Sequence, residues 1–243
     1  MKGITRRSSY YRFVGAGVGL AALSIFFAFV PNLPGQDGPT PRTADGHPEL
    51  SGRYVFAKGN APQVSPAFKP ETKAKYQSPV PSGACVMGGT PTTITMQTTE
   101  HGPFELVQRP GVIWILAESP VSVIWIPTDG RPHSKDPDVS FYGESVGHWE
   151  GDTLVVDTVA IDTRMRNISV GLGGPANAWT HSDKERVIQR FSRPSKNVLT
   201  YQVTVEDPTV LAKPFTSPSL SWSLAQGAND HWKAKVPIAG CDM

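Results

Sequence analysis

The chain has 243 residues with 23 Gly and 23 Pro, enough for one domain with a sizeable core and suited to short elements joined by turns. Its net charge is +2, but the first 35 residues carry four basic residues and no acidic one, which leaves 19 Lys and Arg against 21 Asp and Glu in the rest. That balance lacks the clustered basic face of nucleic-acid-binding proteins, so we expect no nucleic-acid partner.

The N-terminus has the pattern of an export signal. A basic segment precedes an uncharged apolar run of seventeen residues, Val14 to Val30, at the lower limit for a membrane span. No good cleavage site follows, so residues 1–30 favour an uncleaved membrane helix over a cleaved signal peptide. The basic flank predicts a domain on the periplasmic face of the bacterial inner membrane, or in the periplasm if the signal is cleaved.

Residues 31–50 are rich in proline and glycine and predict a semi-extended linker before a single domain over residues 51–243. Pro70 suits the first turn of a helix in "KPETKAKYQ". Alternating or apolar runs between turn residues predict eleven strands. They are Gly52–Ala57, Thr92–Gln97, Phe104–Gln108, Val112–Glu118, Val121–Pro127, Val146–Trp149, Thr153–Ile161, Arg186–Ser192, Val198–Asp207, Leu220–Ala225 and His231–Val236.

The spacing of these strands predicts the fold class. Most connections are two to eight residues long, which is too short for parallel crossovers. We therefore predict an all-β fold, an antiparallel lipocalin-like β-barrel, because closure removes exposed strand edges. A β-sandwich is the alternative.

The two cysteines, Cys85 and Cys241, would meet an oxidising compartment if the chain is exported. A disulfide between them is the economical interpretation and would contribute about 4–5 kcal/mol in the chain-entropy model. A nucleophilic Cys85 is the rival interpretation, although no neighbouring residue in the sequence marks it as reactive.

The segment "GHWEGDTLVVDT", which ends at Thr158, predicts a hairpin with Gly151 in the positive-φ position of its turn. Turn formation alone explains Glu150 and Asp152, whereas His148 lies on a strand and can point to either face. The overlapping "GESVG" matches the nucleophile pattern of hydrolases, with Ser145 at its centre. The residues that follow predict a strand and not the required helix, which argues against that role.

Three polar clusters lie at predicted strand ends. "TDGRPHSKDPD" places Asp129, Arg131 and His133 just after a strand, where barrel mouths recruit polar groups, although an Asp–Arg pair stabilising a surface turn explains the same residues. "WTHSDKERVIQRF" offers His181 with Glu185, and "VTVEDP" offers Glu206 with Asp207. No metal-binding spacing such as HExxH is present, so we expect no metal and no cofactor.

These segments also carry a resemblance. "TDGRPHSKDPD", "GHWEGDTLVVDT", "HSDKERVIQRF" and "VTVEDP", in this order, resemble segments of a widespread group of uncharacterised exported bacterial proteins, over roughly Thr43 to the C-terminus. The resemblance brings no established catalytic residue. The group usually has Arg where His148 stands, which favours His133 and His181 as the functional histidines.

We predict an exported barrel that binds a small, largely apolar molecule in an internal pocket. Trp125, Trp149, Tyr201 and Glu206 are the candidate binding residues, with Trp114 and Trp222 also available to line a cavity. The alternative is a cofactor-independent lyase, isomerase or hydrolase. Its catalytic set would be His133, His181, Asp129 and Arg131, with a histidine moving a proton and Arg131 holding an oxyanion.

A structural envelope protein is the third function class. The expected partners are the small molecule and the inner membrane, and formation of a homodimer stays open.

Overall fold

The computed structural model describes six stretches of the chain: residues 38–56, 64–77, 89–95, 103–118, 121–167 and 179–226. The predicted membrane helix, residues 31–37 of the predicted linker, both cysteines and the predicted strand His231–Val236 lie outside these residues. Within the six stretches, no helix has the length and apolar character needed to cross a membrane.

The described residues form twelve strands and two short helices. The strands are β1 (Gly52–Phe56), β2 (Phe104–Arg109), β3 (Val112–Glu118), β4 (Val121–Pro127), β5 (Glu144–Glu150), β6 (Thr153–Val159), β7 (Arg166–Asn167), β8 (Trp179–Thr180), β9 (Arg186–Ser195), β10 (Val198–Glu206), β11 (Phe215–Thr216) and β12 (Leu220–Leu224). The helices are α1 (Pro70–Tyr76) and α2 (Thr92–Thr95).

Nine of the predicted strands are observed, with ends shifted by up to three residues, and helix α1 begins at Pro70 as predicted. The predicted strand Thr92–Gln97 is wrong, because Thr92–Thr95 is helix α2. The N–H of Thr93 donates to the carbonyl oxygen of Gly89 at 2.7 Å, and all four side chains of the turn are buried. The β-branched residues suggested a strand, but packing of this buried turn decides the local structure.

One antiparallel sheet dominates the fold, with β11 added beside β10. Its strands follow the order β4-β3-β2-β1-β12-β10-β9-β6-β5 and form a nearly closed barrel. The β5–β6 hairpin has the predicted two-residue turn, since Glu150 pairs with Thr153 and Gly151 has a φ of +58°. Strands β7 and β8 form a separate small pair.

The two edge strands of the sheet, β4 and β5, approach each other where the barrel nearly closes. A Cβ atom on Gly147 would lie only 3.0 Å from Cγ2 of Ile126 and 2.9 Å from Cγ2 of Thr128, so glycine permits this approach. Alternation of strand direction along the sheet makes β4 and β5 run the same way. In the described part of the chain, no strand pairing joins them.

Aliphatic side chains and a cluster of aromatic side chains form the buried core. Phe104 and Tyr201 pack with their rings 5.5 and 5.8 Å from that of Trp222, and all three are at most 1 % exposed. The phenol of Tyr201 donates to Gln189 Oε1 at 3.0 Å, and burial raises its pKa well above the ordinary value. This part of the interior is therefore a packed core.

Candidate functional site

A groove of about 440 Å³ lies along the seam between β4 and β5. It reaches from the solvent-facing side of β4 to Ile124 and Ser145, two residues of the inner face that are at most 6 % exposed. The loop between β4 and β5 forms its rim. The lining residues of this seam groove are Val123, Ile124, Trp125, Pro127, Arg131, Pro132, Ser134, Asp136, Asp138, Ser140, Tyr142, Gly143, Glu144, Ser145 and Val146.

One wall of the seam groove is unusually apolar for a solvent-facing strand. Val121, Val123 and Trp125 project outwards from β4 and are 52, 60 and 52 % exposed. Arg131 places its guanidinium carbon 5.4 Å from the centre of the Trp125 ring, in the geometry of a cation–π contact. The predicted binding residue Trp125 therefore lines a groove and presents an accessible aromatic face.

The predicted pair Asp129 and Arg131 forms a surface contact beside this wall. The Nε atom of Arg131 donates to Asp129 Oδ1 at 2.9 Å, and Nη2 donates to Oδ2 at 2.5 Å. The hydrogen bonds from Arg131 hold the pKa of the Asp129 carboxyl below its ordinary value. The pair thus has the geometry of a stabilised turn, and it also fixes Arg131 over Trp125.

Glu144 joins the rim of the seam groove to β5. Ser134 donates to it twice, from N–H at 2.8 Å and from the hydroxyl at 2.5 Å, and His133 Nδ1 lies 3.0 Å from Glu144 Oε1. The Ser134 hydroxyl, then its N–H and the imidazole, lower the pKa of the Glu144 carboxyl despite partial desolvation. Glu144 therefore anchors the loop that carries the first predicted polar cluster.

His133 continues this contact onto the neighbouring strands. Its Nε2 lies 3.5 Å from Asp157 Oδ2 on β6, and Arg186 on β9 donates to both Asp157 oxygens at 2.8 and 2.7 Å. Arg186 also lies 3.6 Å from Glu206 on β10. Burial opposes ionisation of Asp157, but Arg186 and His133 outweigh it and lower the pKa of this carboxyl.

The result is a line of carboxylate, imidazole and guanidinium side chains across the solvent-facing side of four strands, made of Glu144, His133, Asp157, Arg186 and Glu206. We call it the outer charge line. It brings together residues from all four recognisable segments of the sequence. This line joins His133 of the first predicted cluster to Glu206 of the third, whereas His181 and Glu185 of the second cluster are not part of it.

We expect the Glu144→Gln variant to lose less folding stability than the wild type as the pH is lowered. Because the folded-state pKa of Glu144 is depressed below its ordinary value of 4.5, its stabilising contribution is present above that pH. It is lost as pH falls through the folded-state pKa, so the wild type loses stability over a range in which the Gln variant does not titrate. Thermal unfolding at a series of pH values from 6 to about 2 measures both slopes.

Asp183→Asn removes one carboxylate from an exposed position away from the outer charge line, and it serves as the matched control. If Glu144→Gln lost thermal stability with falling pH as steeply as the wild type, the contacts of Glu144 would not stabilise the folded state.

His181 lies in a different setting, buried to 3 % exposure between β8 and β9. Its Nδ1 is 2.9 Å from Glu185 Oε2 and 3.0 Å from the Ser182 carbonyl oxygen. Burial lowers the pKa of His181, but the hydrogen bond and charge of Glu185 outweigh burial and raise it overall. Among the described residues, Nε2 of His181 has no hydrogen-bond partner.

Asp207 is the second buried polar centre of this region. Its carboxylate accepts from Ser182 N–H at 2.7 Å, from the Ser182 hydroxyl at 2.8 Å, and from the N–H groups of Thr209 and Val210 at 3.0 and 3.1 Å. Asp207 thereby fastens the residue beside His181 to the end of β10. The buried N–H groups of the turn after β10 need an acceptor, which explains why a carboxylate lies here.

The remaining predicted binding residues lie apart from the seam groove. Trp149 stacks on His47 with ring centres 4.5 Å apart, Tyr201 lies in the core, and Glu206 ends the outer charge line. Trp125 is thus the predicted binding residue that reaches the groove, and Arg131 is the predicted catalytic residue that does so. The binding and catalytic roles of all these residues stay predictions.

The turn carboxylates of "GHWEGDTLVVDT" form surface ion pairs. Glu150 pairs with Arg190 at 2.6 Å and lies 3.3 Å from His148, and Asp152 accepts two hydrogen bonds from Arg42. The segment's carboxylates therefore hold neighbouring strands and the N-terminal part of the domain together.

Ser145 lies within β5 and exchanges a hydrogen bond of 2.8 Å with Thr158 on β6. Strand β5 continues directly after Ser145 to Glu150, so the strand–turn–helix geometry of a nucleophile elbow is absent at this position. In the described ranges, no group of three or more His, Cys, Asp or Glu residues has the geometry of a metal site.

Sequence reasoning missed Glu144, Asp157 and Arg186. Alternation in "TLVVDTV" does place Asp157 on the face opposite Leu154 and Val156, which is a signal for a polar role on the outer side. The alternation does not show which residues of neighbouring strands contact Asp157.

Comparison of the chain with protein-family models, with curated proteins and with solved structures gave no match.

Proposed function

We propose that the protein is an exported binding protein that holds a small, largely apolar molecule in the seam groove. The observation that carries the proposal is a groove of about 440 Å³ with an exposed apolar wall and a polar rim. Ligand pockets commonly have about 300–1,000 Å³, with apolar walls and a few polar groups that orient the ligand. Because aliphatic and aromatic side chains pack together in the described core, the seam is a better place for the ligand than an internal pocket.

We also propose that the barrel is lipocalin-like. A curled antiparallel sheet offers a site where its edges meet, and here the gap between β4 and β5 supplies it. Exposed apolar surface on an edge strand is a liability unless it has a function, which supports a role for Val123 and Trp125 in binding.

The test is a titration of the full-length protein, labelled with 5-fluorotryptophan, with the neutral probe 4-phenylbutanol. The chain has six tryptophans, and a Trp125→Phe variant assigns the fluorine resonance of Trp125. We expect this resonance to shift saturably while that of the buried Trp222 stays in place. A saturable shift of Trp222 alone would place the ligand in the interior, and no saturable shift at either residue would reject the binding function.

A matched pair of variants locates the contact on β4. Val123→Ala removes two methyl groups from the wall of the seam groove and is expected to weaken probe affinity by about 3- to 10-fold. Val121→Ala makes the same change on the same face of the strand, at a residue that does not line the groove. Equal losses of affinity in the two variants would contradict the assigned wall.

We also propose that the chain is held at the inner membrane by residues 14–30. Replacing Leu20 and Phe26 with Arg would add about 2.5–3.5 kcal/mol each near the middle of the span, so membrane insertion should fail. Fractionation of the cell and N-terminal sequencing measure this. A wild-type protein that is soluble and begins after Val30 would instead establish a cleaved signal.

The alternative function is cofactor-independent acid–base catalysis, and one observation favours it. Glu185 binds Nδ1 of His181 and leaves Nε2 without a partner among the described residues, as in a histidine base oriented by a carboxylate. Chemical conversion of a bound molecule, followed by mass spectrometry, would distinguish an enzyme from a binding protein.

A further inference from the structure

The charges that line the seam groove do not balance. Among the residues that line the groove, Arg131 is the one cation, and it forms an ion pair with Asp129. Glu144 accepts a hydrogen bond from Ser134 and contacts His133. Asp136 and Asp138 also line the groove and are exposed.

Within the described stretches, no Lys, Arg or His lies at ion-pair distance from Asp136 or Asp138, in contrast to the other carboxylate of the lining. Each of these two aspartates therefore presents a negative charge to the groove with no cation of the described residues at ion-pair distance. A ligand that brings a positive charge would meet an attractive potential there.

The apolar wall favours the same kind of ligand. The guanidinium of Arg131 already lies over the Trp125 ring, so we assign Trp125 an apolar contact with the ligand and not a second cation–π contact. Trp125, Val123, Ile124 and Val146 together give an apolar surface on which an alkyl or aromatic group can lie. Apolar wall and acidic rim are thus side by side in one groove.

We propose that the seam groove selects a small amphipathic cation, a molecule with an ammonium group at Asp136 and Asp138 and an apolar body against Trp125. This inference rests on the proposed binding function and narrows its ligand class by charge complementarity. The groove disfavours apolar carboxylates of the same size, because they would place a negative charge beside the two aspartates.

Three probes of one shape test the selection: 4-phenylbutylamine, 4-phenylbutanol and 4-phenylbutyrate. Each is titrated into the full-length 5-fluorotryptophan protein at low salt, with the Trp125 resonance as readout. For two solvent-exposed carboxylates, we expect the amine to bind about 5- to 10-fold more tightly than the carboxylate, with the alcohol between them. The difference should narrow at about 0.5 M salt, because exposed charges are screened.

The double variant Asp136→Asn and Asp138→Asn assigns the preference to these residues. The ratio of amine to carboxylate affinity should fall to about one, and a ratio is insensitive to a general loss of binding. Asp183→Asn removes a carboxylate elsewhere on the surface and should keep the wild-type ratio. An unchanged Trp222 resonance shows that each variant is folded.

Each outcome separates this inference from the proposed function. Equal affinities for amine and carboxylate in the wild type overturn the selection of a cation but leave binding in the groove intact. An amine preference that survives the double Asn variant overturns the role of Asp136 and Asp138. If none of the three probes moves the Trp125 resonance saturably, the binding function itself fails, and the inference fails with it.

Discussion

Asp207→Ala is expected to lower the free energy of unfolding by about 3–5 kcal/mol, because the N–H groups of Ser182 and Thr209 lose their acceptor and that of Val210 keeps only the Asp207 carbonyl oxygen. The carboxylate is 2 % exposed and accepts from the N–H groups of Ser182, Thr209 and Val210. A buried N–H without an acceptor costs about 1–3 kcal/mol, and the truncated side chain leaves no acceptor for the N–H groups of Ser182 and Thr209. The loss should also loosen the segment that carries His181.

Chemical denaturation of the full-length protein measures this loss. Asp152→Ala removes a carboxylate that is 63 % exposed and paired with Arg42, and it is expected to cost less than about 1 kcal/mol. Asp207→Asn keeps one acceptor oxygen and should lie between the two. Equal effects of Asp207→Ala and Asp152→Ala would show that the buried hydrogen bonds of Asp207 do not stabilise the fold.

The local elements of this fold were predictable because the sequence carries strong period-two alternation and clear turn residues. The β5–β6 hairpin shows this well, since "EGD" between two apolar runs indicated both the turn and the positive φ of Gly151. The antiparallel arrangement followed from the short connections. Helix α2 was not predictable in this way, because its β-branched residues favour a strand and only its burial in the fold decides otherwise.

The candidate site was predictable only in part. Asp129, Arg131 and His133 were expected at a strand end, and the structure places Arg131 in the lining of the seam groove. Alternation tells which residues share a face of a strand, but it does not tell which residues of other strands lie next to them on that face. For this reason the contacts of His133 with Glu144 and Asp157 could not be read from the sequence.

The different burial of the two histidines could not be predicted from the sequence either. His133 and His181 both follow strand or turn signals, and both have a carboxylate near Nδ1. One lies on the outer charge line at 22 % exposure, whereas the other is buried at 1 %. Burial depends on what packs over a loop, and that is a tertiary property which local sequence patterns do not encode.

Trp222→Ala is expected to lower the free energy of unfolding by about 3–5 kcal/mol, the usual cost of truncating a buried large aromatic residue. Trp222 is fully buried and lies against the rings of Phe56, Phe104 and Tyr201 at 5.5 to 5.8 Å. Its removal leaves a cavity at the centre of the aromatic core, and the surrounding strands can close it only in part.

The substitution also tests where ligands bind. Trp222→Phe keeps most of the aromatic volume and loses no hydrogen bond, since Nε1 has no partner among the described residues, so it should cost less than half as much. Denaturation measures both variants, and titration with 4-phenylbutanol then compares their sites. The Trp125 resonance should respond in both variants as in the wild type, because the seam groove lies apart from the aromatic core. If Trp222→Ala costs less than about 1 kcal/mol, the interior is not closely packed, and the argument that places the ligand at the seam loses its basis.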